Sequence, residues 1–525
     1  MLQVESFGAL VREAADRFSD DAFLIDDPLL GRVSYADLSR FKHGFERQLD
    51  ELSIPEGAAV ASIFHNCGLS ALMFISAIAS RRLYVPLNPT SSPAELHYML
   101  DKAGCSAVVF DPTHAKTADF GNRHRMAVSD HRQYYTACCA LGVESTPRRS
   151  VRDDKAFVGE VVYTSGSTGR PKGAILSERN LLANAMALVR AYRLDRDDRF
   201  LTVCPLFHNS GQVLTTLACA LVGGSAAVVK SDVGMLNFWR YVDRYRANWS
   251  LGMVSFLALL LARPEQPKSP SSLKCLLTGG SAIDAGLIQE FERRFGVPVR
   301  TVYGLTESAS IATCEHLDPN PRSLGSSGRT LFDCDVRIGA EEPASLAAAD
   351  DSKSRSKGEI WIGGPTIFQG YVGDPELTRT RKVDGWLRTG DIGYFDDNGN
   401  LFVIDRLDSM LIVGGENVYP AEVEKLCMQL PGAAQIVLVG IDDAIWGKKL
   451  VLTYRAEDGR KVDTTAWHRI LAENLSPFKV PQNYVAISSL GLDEFPRRDN
   501  GKLDRPAITA LIKRSFGQVR TEANQ

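Results

Sequence analysis

Long apolar runs are missing from this 525-residue chain: no stretch holds the roughly 18 uninterrupted apolar residues that a membrane span requires. The first residues, MLQVESFGALVREAADRF, place Phe7, Leu10, Val11 and Ala14 at helical spacing among acidic positions, unlike the basic start and apolar block of a signal peptide. Cysteine is sparse, with ten residues from Cys67 to Cys427, only Cys138 and Cys139 adjacent, and no CxxC pair. That pattern excludes a disulfide scaffold and predicts reduced thiols in a cytoplasmic protein. An excess of one charge is also missing, since 63 acidic residues face 60 basic ones for a formal charge of -3. Nothing in that balance favours nucleic acid or an anionic membrane as the main partner, so a small ligand is expected. No repeat of roughly 20 to 50 residues recurs, which excludes a solenoid.

What is present is a globular composition, 44% hydrophobic and 23% charged, on a chain long enough for roughly two to four domains or subdomains. From Ala156 to Val302 short β-branched runs (GEVVYT, FLTVCP, SAAVVK) alternate with helical ones (LLANAMALVRAYRL, QVLTTLACALVGG, MLNFWRYVDRYRA). This alternation predicts βαβ units in a largely parallel sheet, with ligands at strand C-terminal ends. ASIFHN, a helix near Leu69 to Ser80, and AVVFDP repeat the idiom earlier, so 1 to about 330 reads as one α/β body with subdomains. Ala340 to Gly358 is small and charged and reads as an exposed loop. Short strands follow, with Asp397, Asn398 and Gly399 as hairpin-turn residues. Beyond Leu407 a small α+β domain is expected. The boundary is placed at Arg406 to Asp408, between a body over 1–405 and the small domain over 409–525.

Tyr163-Thr164-Ser165-Gly166-Ser167-Thr168-Gly169-Arg170-Pro171-Lys172-Gly173 follows an apolar strand and combines glycines, hydroxyls and a lysine. Glycines admit phosphate oxygens close to backbone amides, hydroxyls donate hydrogen bonds and Lys172 offers a point charge. It is not a Walker A loop, because Arg170 and Pro171 separate Gly169 from Lys172. In order along nearly the whole chain come YTSGSTGRPKG, PLFHNSG, TGGS, YGLTE, GWLRTGD, DRLD, GGENVYPAEVE, SPFKVP and GKLDR. In this sequence of motifs the chain resembles the adenylate-forming superfamily of acyl-CoA synthetases, adenylation domains and firefly luciferase.

The resemblance implies ATP and magnesium as cosubstrates, a large body and a mobile lid. It assigns the β- and γ-phosphates to Thr164, Ser165, Gly166, Ser167, Thr168 and Gly169, with Lys172 beside them. Gly279, Gly280 and Ser281 flank adenine, Tyr303 stacks on it ahead of Gly304, Thr306 bonds the α-phosphate and Glu307 holds magnesium. Asp391 accepts the ribose hydroxyls and Arg406 donates on that side. Lys502 bridges the substrate carboxylate and the α-phosphate, where negative charge grows in the transition state. His208 packs at the carboxylate end of the acid, with Asn209 and Ser210 in the acyl pocket, and Asp408 is the hinge pivot.

Met410 to Pro420 resembles acyl-CoA ligases, which favours coenzyme A as acceptor, with Gly414, Trp446 and Phe478 along its pantetheine arm. A standalone ligase that loads the acid onto a carrier-protein phosphopantetheine would keep the same motifs. Four positions depart from the pattern: Asp405 for a usual glycine, Ser409 for an acid, Ser255 for a proline and Glu178 for a frequent histidine. None removes a catalytic group. The small-molecule carboxylic acid itself is not specified by these residues.

Overall fold

The computed structural model describes residues 1–113, 120–143, 158–164, 171–267, 271–280, 285–317, 322–339, 357–407, 410–413, 416–443, 447–457, 460–475, 477–497 and 503–522. Among them the expected βαβ grammar is realised as two large sheets. The first runs, in spatial order, through Arg329–Thr330, Thr313–Cys314, Val299–Tyr303, Cys275–Gly279, Trp249–Met253, Arg199–Thr202, Ser225–Val228, Ala22–Asp27 and Gly31–Ser34. Its strands from Val299–Tyr303 to Ala22–Asp27 are parallel. The second runs through Gly370–Tyr371, Lys172–Ser177, Val158–Thr164, Leu83–Leu87, Ala59–Ile63, Cys105–Phe110 and His124–Ala127. Here Lys172–Ser177 and Gly370–Tyr371 are antiparallel additions to a parallel set.

Helix Gly68–Ala79 is apolar all round and every one of its residues is buried, because it packs against strands of both sheets. Local signals set the other helix starts. Ser34 with Asp37, Ser92 with Glu95, and Ser177 with Asn180 form reciprocal caps at the helices Tyr35–Glu51, Pro93–Lys102 and Glu178–Tyr192. Glu178 also accepts the Phe7 N–H at 2.9 Å and so closes the first turn of helix Phe7–Phe18.

One segment differs from its predicted form. QVLTTLACALVGG is not a single α-helix: Gln212–Leu217 is π-helical and only Ala218–Val222 is α-helical. The cause is local. The Thr215 hydroxyl bonds the Gly211 carbonyl and the Thr216 hydroxyl bonds the Gln212 carbonyl at 2.5 Å, which displaces the regular ladder.

A third, antiparallel sheet contains Asp335–Gly339, Gly358–Gly363, Lys382–Val383, Trp386–Phe395 and Leu401–Arg406. Its predicted hairpin turns at Gly399, φ +75°, with Asp396 accepting the amides of Asn398 and Asn400 at 2.9 and 2.8 Å. Residues 340–356 of the expected loop lie outside the described residues. The C-terminal part is α+β. It has a hairpin (Leu411–Val413, Glu416–Val418), a sheet of Ala433–Asp443, Gly447–Ala456 and Asn483–Ala486, and helices Pro420–Cys427, Thr464–Asn474 and Arg505–Glu522. Among the described residues no helix is long and apolar enough to cross a membrane.

Candidate active site

Strand Val299–Tyr303 delivers Tyr303 to the C-terminal edge of the first sheet, beside Gly279 at the end of Cys275–Gly279. Both strand ends are too close for side chains. A Cβ on Gly279 would stand 2.3 Å from the Val302 carbonyl oxygen, and one on Gly304 would stand 2.3 Å from that of Ser310. The chain then folds back through a 3-10 turn at Thr306–Ser308, followed by Ala309 at φ +58° and Ser310 at φ +126°. Such dihedrals are strained for residues with a Cβ. Asn184 holds the turn, donating to the carbonyls of Ser308 at 3.2 Å and Ile311 at 2.6 Å.

The turn buries Glu307, whose Oε1 accepts the Tyr371 hydroxyl at 2.5 Å. Burial, reinforced by the Glu307 charge, pushes the Tyr371 phenol far up, so it remains a donor. Tyr371 sits on Gly370–Tyr371, paired to Ala174 and Ile175 of Lys172–Ser177. The same strand starts at Lys172, opposite Thr164. The base of the glycine-rich loop and the Glu307 carboxylate are therefore tied through one edge strand. Ser165 to Gly169 lie outside the described residues, as do Ser281, Asp408, Gly414, Trp446 and Lys502.

On the other side of Tyr303 stands Asp391. Its Oδ2 accepts the Tyr303 hydroxyl at 2.7 Å and its Oδ1 accepts Arg406 Nη1 at 3.0 Å. Sheet register brings the ion pair together, because Asp391 and Arg406 are cross-strand partners on Trp386–Phe395 and Leu401–Arg406. Burial raises the Asp391 carboxyl, opposed by Arg406, Tyr303 and Arg381. Buried Glu359 secures the turn before it, accepting the Gly390 N–H at 3.0 Å and Arg388 Nη2 at 2.7 Å.

His208 starts the third group. Asn66 anchors its loop, donating to the Cys204 carbonyl at 2.7 Å and accepting the Leu206 N–H at 2.7 Å. The His208 ring packs against Phe207, with centroids 4.7 Å apart. Buried Asn209 donates to the Thr306 carbonyl at 3.2 Å, and Ser310 Oγ donates to Ser210 Oγ at 3.3 Å. The His208 loop and the Glu307 turn are thus stitched together. Gly280 continues from its strand at φ +80°. Phe478 is elsewhere, on the 3-10 turn Pro477–Lys479 among the apolar residues of the C-terminal part.

Two residues that sequence reasoning passed over lie in this region, Tyr371 and Arg381. Tyr371 stands apart from the motifs used and Arg381 lies just outside GWLRTGD; they reach the site through strand pairing and a helix end, so no motif residue marks them. Asp405, one of the departures, has a clear place: its Oδ2 accepts the Ala421 N–H at 2.8 Å in the first turn of helix Pro420–Cys427. Ser255 lies within helix Val254–Leu261, and nothing in the structure explains its replacing a proline.

A third overlooked group is Glu160, four residues before Thr164 and fully buried, with neither carboxyl oxygen hydrogen-bonded among the described residues. It faces Gln212, whose Oε1 is likewise unbonded, and its register partner Tyr84 has its hydroxyl paired with Ser62 Oγ at 2.7 Å. Burial pushes the carboxyl up to about 8, so Glu160 keeps its proton at neutral pH and can donate to Gln212. The unfolded carboxyl, at its ordinary 4.5, loses its proton first, so stability falls as pH rises from there to about 8. Glu160→Gln is expected to remove that slope. In thermal melts the variant should exceed wild type near pH 8 and converge with it near pH 4.5; identical pH profiles would refute a protonated Glu160.

Residues 11–372 match the family model described as AMP-binding enzyme, and the chain belongs to that family. The expected resemblance to adenylate-forming enzymes is thereby borne out. The chain is 34% identical to an indoleacetate–CoA ligase of Aromatoleum aromaticum over 355 residues, covering 67% of each chain. It is 29% identical to a 2-succinylbenzoate–CoA ligase of Bacillus pumilus over 90% of this chain and 92% of that one. The fold matches ATP-bound MatB from Rhodopseudomonas palustris with a TM-score of 0.84 at 23% identity, over 96% and 99% of the two chains.

Proposed function

We propose that this enzyme activates a small carboxylic acid with ATP, forms an acyl-adenylate and transfers the acyl group to the thiol of coenzyme A. The observation that carries this reading is the convergence of Tyr303, Asp391 with Arg406, and Glu307 with Tyr371 beside the Thr164–Lys172 hairpin. A carboxylate resists attack by a thiol because it would have to expel oxide, and adenylation converts that oxygen into a leaving group. Asp391 accepts the ribose hydroxyls, with Arg406 fixing its orientation. Tyr303 covers the base next to Gly279 and Gly280, and Thr306 with the glycine-rich loop and Lys172 holds the phosphates.

Magnesium fits at Glu307: Tyr371 occupies Oε1, Oε2 takes no bond among the described residues, and magnesium is commonly held by one or two carboxylates plus substrate phosphates. When bound, it offsets charge on the departing pyrophosphate. His208, Asn209 and Ser210 face the acid. Lys502 enters from the lid to meet the charge that develops between carboxylate and α-phosphate. In this reading 1–405 is the body, 406–408 the hinge around Asp408 and 409–525 the lid, which also presents Gly414, Trp446 and Phe478 to the pantetheine arm. Coenzyme A is favoured over a carrier protein because both relatives named above are CoA ligases.

The test is a product analysis across aliphatic, aromatic and dicarboxylic acids. Acid-dependent release of AMP and pyrophosphate, with thioester formed only when coenzyme A is present, is expected. ADP and phosphate as products would exclude adenylation, and thioester formation on holo-carrier protein alone would exclude coenzyme A as acceptor.

A further inference from the structure

Two guanidinium groups converge on one backbone carbonyl beside Asp391. Arg381 Nη2 donates to the Thr389 oxygen at 2.7 Å and Arg406 Nη1 donates to the same oxygen at 3.2 Å. Gly390, at φ +70°, lies under both: a Cβ there would stand 2.8 Å from Arg381 Nη1 and 3.3 Å from Arg406 Nη2. Like charges at such separations repel, and the arrangement is favourable only where anions balance both. Asp391 serves Arg406 and spends its other oxygen on Tyr303. Arg381 hydrogen-bonds the Thr389 carbonyl and also feels the Asp391 charge and the Tyr371 hydroxyl, so two guanidinium groups share one carboxylate.

The position of this second cation is informative. Arg381 ends helix Pro375–Arg381, is half-buried, and interacts both with the Asp391 carboxylate and with the Tyr371 hydroxyl that holds Glu307. On one side is the group read as the ribose acceptor and on the other the group read as the magnesium ligand. What lies between ribose and the metal-bound phosphates of a nucleotide is its first phosphate, an anion suited to a planar guanidinium. We propose that Arg381 binds the α-phosphate of the adenine nucleotide, an assignment that rests on reading this cleft as the nucleotide site.

A purely structural role would have Arg381 only tether its helix to the strand Trp386–Phe395. Equilibrium binding of adenosine, AMP, magnesium–ATP and pyrophosphate to the full-length wild type, Arg381→Met and Arg381→Lys separates the two. Arg381→Met is expected to bind adenosine within about twofold of wild type but AMP and ATP about tenfold more weakly, by the same factor for both, with pyrophosphate unaffected. Arg381→Lys should fall between. Equal weakening of adenosine and AMP, unchanged AMP affinity, or a loss confined to pyrophosphate and ATP would each overturn the proposal. If Arg381→Met melts well below wild type, the lysine variant carries the comparison, and its weakening adenosine as much as AMP overturns it. A wild type that binds no adenine nucleotide would overturn the function reading, and this assignment with it.

Discussion

Lys502→Ala is expected to lower acid adenylation by roughly two or three orders of magnitude while leaving thioester formation from supplied acyl-adenylate intact. As acid attacks the α-phosphorus, charge accumulates on oxygens of both reactants, and a single well-placed cation is worth most there. In the proposed function Lys502 has that role, and the described residues on either side of it are paired. Arg497 and Leu503 form an antiparallel bridge, and the Asp504 N–H donates to the Pro496 carbonyl at 2.9 Å. Once adenylate exists, the carboxylate charge has been taken up in the acyl–phosphate bond, and the lysine has no proposed part in the thiol step. Pyrophosphate exchange and single-turnover thioester formation, measured on one folded preparation, check this. Equal loss in both would show that Lys502 has another role.

Glu307→Gln is expected to cost about two orders of magnitude in adenylation and to raise the magnesium concentration needed for half-maximal rate. The amide keeps its oxygen for the Tyr371 hydroxyl, so the buried hydrogen bond survives and the turn has no cause to collapse. What is lost is the formal charge on the oxygen offered to the cation. Rates measured against magnesium concentration separate this from general damage: a uniform drop at unchanged magnesium dependence would remove Glu307 from metal binding.

Much of the architecture was readable in advance because its signals are local. Alternating β-branched and helical runs between Ala156 and Val302 became neighbouring parallel strands and covering helices, and Asp397 to Gly399 turned the hairpin. The Tyr303 to Glu307 segment was legible for a similar reason: a strand followed by glycine and a polar turn admits few conformations, and Gly304 has no room for a Cβ. What stayed hidden depends on long-range pairing. Tyr371 becomes Glu307's partner only because Gly370–Tyr371 adds to the edge of Lys172–Ser177. Arg381 gains its place from a helix end, and Glu160 looks like any strand residue until the strand is buried. The π-helical turn at Gln212–Leu217 was missed because hydroxyls competing for carbonyls leave the apolar period unchanged.

Asp405 links strand Leu401–Arg406 to helix Pro420–Cys427. Its carboxylate takes the Ala421 N–H at 2.8 Å and the Arg406 N–H at 2.7 Å, and the Arg406 side chain in turn grips Asp391. A glycine here would leave helix Pro420–Cys427 free to swing without disturbing the strand. With aspartate present, the helix and the Arg406 guanidinium are connected through one carboxylate. Under the proposed rotation about 406–408, the C-terminal part would either drag the strand end with it or first disengage a half-buried carboxylate from a helix N-terminus that favours its charge. Under the proposed lid rotation, movement of the C-terminal part and the Arg406–Asp391 contact would be coupled through this one side chain.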